Sequence, residues 1–194
     1  EGPLRLCIGR IHEGDETLTA LRASRELKFA GCLGAYGQRG LRLLCTSLEL
    51  AKHLHHVSRV ELPNHRLGPA GARELARCLR AGVNLEHIDL RSNALKDAGV
   101  AALAGGLRHA RRIKTLILSA NRVGRPGVEA LADGLQFCFT LDWLDLRTND
   151  FTRETHDFIV ASHFANPSHY VNVLVDPPDD GAADAEHGAS SPKR

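Results

Sequence analysis

The sequence predicts an α/β solenoid: a right-handed β/α coil curved into a horseshoe, with a parallel sheet on the concave face and helices on the convex face. Three observations predict it. Four stretches carry the same apolar spacing: Val57, Val60, Leu62 and Leu67; Leu85, Ile88, Leu90 and Leu95; Ile113, Leu116, Leu118 and Val123; Leu141, Leu144, Leu146 and Phe151. Corresponding positions lie 28 residues apart. The ninth position of each stretch is His65, Asn93, Asn121 or Asn149, and Gly71, Gly99 and Gly127 follow the third apolar residue at one fixed distance. Self-similarity at a fixed period means an array in which each unit buries its apolar face against the next.

Each element of the unit has a physical reason. Apolar residues at positions 1, 4 and 6 make a short strand whose inward side chains fill a wedge. Asn at position 9 bonds backbone groups where the chain leaves the strand. His65 is read as a tolerated substitute there, since imidazole also donates to a carbonyl. The glycine lies at the turn into a helix, where a Cβ would crowd the neighbouring coil. Leu75 and Leu79, Leu103 and Leu107, and Leu131 and Leu135 then continue at helical spacing from the glycine. Ala76, Ala104 and Ala132 beside them are small enough to let the helix approach the sheet. Strands stack about 4.8 Å apart and helices about 8–10 Å apart, so the helix side splays and the array curves.

Residues 1–176 form one repeat domain in this reading. Irregular units cover 1–56, regular units 57–151, and a capping helix and strand 152–176. Upstream, Leu27-Lys28-Phe29 occupies strand positions 4 to 6, and Gly40, Leu44 and Leu48 repeat the helix spacing. Leu4-x-Leu6 opens a degenerate unit before it. Downstream, Phe151 to Phe164 reads as a helix with Thr155 where the glycine was, and Tyr170 to Val175 as a final strand over the open sheet edge. Residues 177–194 are Gly, Ala, Ser and charge without apolar periodicity, and read as a flexible tail.

The pattern L-x-x-L-x-L-x-x-N-x-L, carried by Leu85 to Leu95 and its copies, resembles the leucine-rich repeat. A 28-residue unit with a full helix resembles the ribonuclease-inhibitor-like subtype. Cys32 then stands where Cys replaces Asn in that family. The subtype occurs in Ran GTPase activators, the sensing ends of NOD-like receptors, tropomodulin-type actin regulators and axonemal subunits. The resemblance implies a protein-binding solenoid.

Composition bounds the rest. The 194 residues carry a net charge of +2, which marks neither a nucleic-acid footprint nor an acidic partner. The chain has no Met and begins in a strand-like stretch, so it is expected to be a segment of a longer protein. No run reaches the length of a membrane span. The five cysteines, Cys7, Cys32, Cys45, Cys78 and Cys138, are spread singly and form no C-x-x-C pair. That usage fits reduced thiols in a cytoplasmic compartment.

Motifs for chemistry are missing. There is no G-x-x-x-x-G-K, G-x-S-x-G or H-E-x-x-H, and Gly68-Pro69-Ala70-Gly71 is the repeat turn. His53 and His56, at i and i+3, are the densest metal candidate, but no third ligand is near, and His at a helix C-terminus suits the macrodipole. The expectation is no catalysis, no metal and no cofactor.

The informative surface is the outward face of the sheet. Side chains alternate along a strand, so position 3 presents Arg59, His87, Thr115 and Trp143, and position 5 presents Glu61, Asp89, Ile117 and Asp145. Position 7 presents Pro63, Arg91, Ser119 and Arg147. An acidic column should stand beside an arginine-bearing column, interrupted by Ile117; this reads either as a solvated face with cross-strand ion pairs worth little each or as a recognition surface. Arg59, Glu61, His87, Asp89, Arg91, Trp143, Asp145 and Arg147 are the candidate protein-binding residues. Trp143, the one Trp, is the centre of that set, because aromatic and Arg side chains dominate interface energetics. Packing of Trp143 under the capping segment is the competing reading. A second candidate is the basic segment 108–114, with Arg108, His109, Arg111, Arg112 and Lys114, joined by Arg122 and Arg125. It lacks interleaved aromatics, which argues against nucleic acid.

The function expected is a non-enzymatic protein–protein interaction module. A scaffold or docking subunit of a larger intracellular assembly fits it, with cytoskeleton or cilium as homes the resemblance brings. The alternatives are a GTPase-activating protein resembling the Ran activators, or the ligand-sensing repeat end of a larger receptor.

Overall fold

The computed structural model describes residues 4–6, 26–29, 41, 42, 45, 57–162 and 170–177. Seven strands form one parallel sheet in chain order. They are β1 (Leu4–Leu6), β2 (Glu26–Phe29), β3 (Arg59–Glu61), β4 (His87–Asp89), β5 (Thr115–Ile117), β6 (Trp143–Asp145) and β7 (Asn172–Leu174). Four described helices alternate with the later strands: α1 (Gly68–Arg80), α2 (Lys96–Leu107), α3 (Arg125–Leu135) and α4 (Arg153–Ser162). A parallel pair needs a crossover connection, and each helix supplies one.

The strand register follows the repeat spacing. Val60 pairs with Ile88, Ile88 with Leu116, and Leu116 with Leu144. The irregular upstream units keep the same register, with Leu4 beside Leu27 and Leu27 beside Val60. In the helix between them, Leu41 and Cys45 are buried, while Leu44 and Leu48 lie outside the described residues. The core is a set of columns: Leu62, Leu90, Leu118 and Leu146 are all closed to solvent, and the helix leucines Leu75, Leu79, Leu103, Leu107, Leu131 and Leu135 pack against them.

The asparagines tie successive coils together. Asn121 Oδ1 accepts from the backbone N–H of Asn93 (3.0 Å) and Leu95 (3.3 Å) in the preceding unit. Its Nδ2 donates to the carbonyls of Leu90 (2.9 Å) and Leu118 (2.8 Å), one in each unit. Asn93 and Asn149 repeat the arrangement. Every such bond satisfies a backbone group that the turn has removed from water. The turns run through left-handed backbone at non-glycine residues, with φ of 55° at Ser92 and 52° at Ala94, then 56° at Ala120 and 57° at Arg122. Such conformations persist only where the surroundings over-determine them, and the asparagine bonds supply that constraint.

Gly71, Gly99 and Gly127 fall inside the first helical turn. A Cβ on Gly127 would lie 2.6 Å from Asp97 Oδ1 and 2.7 Å from Val123 Cγ1. Asp97 Oδ1 is committed there, accepting from the N–H groups of Gly124 (2.7 Å) and Gly127 (3.1 Å) and so capping α3 from the preceding unit.

The alanines also meet the next helix. Ala76 and Ala104 sit at the contacts between adjacent helices, opposite Gly106 and Gly134. A Cβ on Gly134 would stand 2.7 Å from the Ala104 carbonyl oxygen and 2.8 Å from Ala104 Cβ. Small residues on both sides thus set the spacing of adjacent helices. Gly134→Ala is therefore expected to destabilise by about 1–3 kcal/mol, against its gain in helix propensity. Gly105, with open space around a Cβ, is the control: Gly105→Ala should stabilise by about 0.5–1 kcal/mol. Thermal denaturation of the two variants separates crowding from propensity.

The C-terminal end departs from the regular unit. α4 spans Arg153–Ser162 instead of starting at Phe151. Thr152 Oγ1 accepts from the Thr155 backbone N–H at 3.3 Å and lies 3.1 Å from its hydroxyl, so Thr155 is buried but bonded where the glycine was. β7 joins the sheet through Leu144 beside Val173, and Tyr170 ahead of it is exposed. Among the described residues no helix is long and apolar enough to cross a membrane.

Candidate functional site

The strand pleat turns the odd positions outward, and the parallel register stacks them in rows. Arg59, His87, Thr115 and Trp143 are consecutive neighbours across β3 to β6, as are Glu61, Asp89, Ile117 and Asp145. Trp143 is 41% exposed. On its far side lies Asn172 of β7, also exposed, so the last strand extends the sheet beside the indole without covering it.

Among the described residues the closest ion pairs on this face join neighbours along one strand, while Lys114 and Glu86 pair across two. Arg91 Nε and Nη2 reach Asp89 Oδ1 (3.1 Å) and Oδ2 (2.6 Å), and the Arg91 backbone N–H donates to Oδ1 at 3.0 Å. Arg147 repeats this on Asp145 at 2.9, 2.8 and 3.1 Å. Arg59 meets Glu61 at 3.3 Å. The residue two positions on lies on the same strand face, and the bidentate fork closes that short gap better than the next strand would.

This pairing hides the acids and leaves the arginines outside. Asp89 and Asp145 are buried, while about half of each arginine side chain meets solvent. Burial pushes the Asp145 carboxyl up, but the side-chain and backbone hydrogen bonds from Arg147 and the charges of Arg147 and Arg91 outweigh it and hold the group below its usual value. The same bonds, to Asp89 and Asp145, push the Arg91 and Arg147 guanidiniums above theirs. The Nη1 groups take no part in these contacts. Between the two arginines stands Ser119, and between the two aspartates Ile117. The outer face thus presents two pre-set guanidiniums on either side of a low, partly apolar strand, with Trp143 at its end.

His65 behaves as the turn substitute expected of it. It is buried, and Nδ1 lies 2.6 Å from the Pro63 carbonyl oxygen, while its backbone N–H donates to Asn93 Oδ1. Burial lowers its pKa against the opposing backbone hydrogen bonds, and Nε2 has no partner among the described residues. His53 and His56 lie outside the described residues.

The basic segment is rearranged relative to its sequence grouping. Arg108 to Lys114 lead from α2 into β5, whereas Arg122 and Arg125 follow β5, at the other end of the strand. Arg125 is engaged there by Glu129 (2.8 Å) and by the Phe158 ring (5.2 Å to its centroid), and Lys114 pairs with Glu86 at 3.5 Å. The segment has no aromatic of its own, but the next unit brings two to it. Phe137 and Phe139, from the next unit, stand beside it, 53% and 58% exposed. The Arg108 guanidinium lies 4.8 Å above the Phe137 ring. The signal was present at an offset of one repeat, since Phe137 and Phe139 are the 28-residue counterparts of His109 and Arg111.

The leucine-rich repeat family model matches residues 83–104 and 109–132. These ranges cover β4 with most of α2 and β5 with most of α3, two central units of the array. No curated protein matches the chain. Repeats of this kind point to a protein–protein interaction module. The chain carries leucine-rich repeats, stacked as an α/β leucine-rich-repeat solenoid with an open sheet.

Proposed function

We propose that the chain is a docking module that binds another protein on the outward face of its sheet, towards the C-terminal end, with Trp143 as the anchor. One observation carries this reading: the single Trp of the chain is half-exposed on a face where Arg147 and Arg91 are already held in place. A side chain fixed before binding loses less entropy on contact, and Trp with Arg is the composition of interface hot spots. Arg59, Glu61 and His87 continue the same face towards the N-terminal side. The whole fits a non-enzymatic scaffold subunit of an intracellular assembly, of ribonuclease-inhibitor-like type, with the cytoskeleton or cilium as proposed homes.

The test uses partners recovered from native extract with the full chain, then measured individually against variants. Trp143→Ala is expected to weaken binding roughly thirtyfold, the equivalent of about 2 kcal/mol, with little change in melting temperature. Arg147→Ala should weaken it as well. A lower melting temperature with unaltered affinity would show that Trp143 serves the fold and not recognition.

A further inference from the structure

We propose that the helix-exit edge of the array is a second docking site, one that takes an acidic peptide segment of a partner protein carrying an apolar side chain among its carboxylates. The edge holds a concavity of about 570 Å³ built from three successive units. Arg80 and Gly82 come from the end of α1, Arg108 and Arg111 from the end of α2, and Phe137 and Phe139 from the end of α3.

The repeat makes the departure from a plain solvent edge visible. Residues one period apart occupy equivalent places, so Ala81, His109 and Phe137 form one row, and Val83, Arg111 and Phe139 another. Along both rows the edge passes from small or aliphatic to basic to aromatic. Cys138, between the two phenylalanines, is buried, as is its counterpart Ala110. That anchor sends Phe137 and Phe139 outward together, two large apolar side chains more than half exposed.

Charge complementarity names the occupant. Among the described residues no carboxylate lines the concavity, whereas Arg80, Arg108 and Arg111 do, all exposed. The exposed apolar surface supplies affinity through burial, and the arginines select anionic neighbours. A peptide fits better than a nucleic-acid strand. Arg108 already occupies one face of Phe137, leaving less ring for base stacking, and the concavity has the size of a side-chain pocket and not of a groove that tracks many phosphates. This surface lies at the opposite end of the strands from the asparagine turns, and Trp143 is not among the residues that line it.

The experiment is fluorescence anisotropy on the full chain with a labelled peptide alternating glutamate and phenylalanine. Glutamate–serine and lysine–phenylalanine peptides and oligothymidylate serve as comparison probes. The glutamate–phenylalanine peptide is expected to bind, and to lose about tenfold or more of its affinity in Phe139→Ser and in Arg111→Glu, as an interface anchor does. Trp143→Ala should leave it unchanged, which keeps this site distinguishable from the sheet-face reading. Both substituted residues are exposed, and melting temperatures establish that each variant is folded. Absence of binding by the glutamate–phenylalanine peptide, equal affinity for the variants, or tighter binding of oligothymidylate with the same dependence on Phe139 and Arg111 would each overturn the proposal.

Discussion

Asn121→Ala is expected to lower unfolding stability by about 2–6 kcal/mol, since each of two buried donors left without a partner costs about 1–3 kcal/mol. The donors are the backbone N–H groups of Asn93 and Leu95, both held by Asn121 Oδ1. The carbonyls of Leu90 and Leu118 lose Nδ2 at the same time. Asn121 is closed to solvent, so water cannot take over these bonds without opening the turn. The left-handed residues on either side, Ala120 and Arg122, lose the bonds that hold them, which adds to the cost. Asn149→Ala should cost less, because its side chain is only partly buried. Urea denaturation with the slope held fixed measures both. A loss below about 1 kcal/mol at Asn121 would show that the ladder contributes little, and equal losses at the two positions would show that burial does not set the cost.

Leu118→Ala is expected to cost about 2–5 kcal/mol, the range for deleting a large aliphatic side chain from a core that relaxes only in part. Leu118 is 0% exposed, in a column with Leu90 on one side and Leu146 on the other. In a stacked array the cavity weakens two interfaces between units instead of one central core. Denaturant unfolding gives the value, and a cost near zero would mean that the strand register is wrong.

Those two residues were legible in the sequence because each belongs to a pattern with both a period and a residue type. Leucine at position 6 and asparagine at position 9 have one physical use each, and they recur. The outward direction of Trp143 followed from strand alternation alone. Other features depend on which unit faces which, and alternation does not contain that. Ala104 and Gly134 are small for each other's sake, yet they belong to different units and to no common motif. The pairing of Asp145 with Arg147 was readable as two columns but not as a bond along one strand, since spacing does not say which neighbour a flexible guanidinium will choose. Phe137 joins Arg108 only when the sequence is laid out in rows of one repeat.

The asparagine bonds also have a direction along time. His65, Asn93 and Asn121 each receive their backbone partner from the residue 28 places later, and Leu90 and Leu118 donate to strand carbonyls of the following unit. A ribosome delivers the chain from the other end, at about 5–20 residues per second. Each coil therefore leaves the exit tunnel with donors exposed, and waits for the next one to be made before its turn can close. The growing chain carries one unfinished coil behind the ribosome at each step, and at the last asparagine turn the Thr148 N–H meets the Asp176 carboxylate where earlier coils use a carbonyl of the next one.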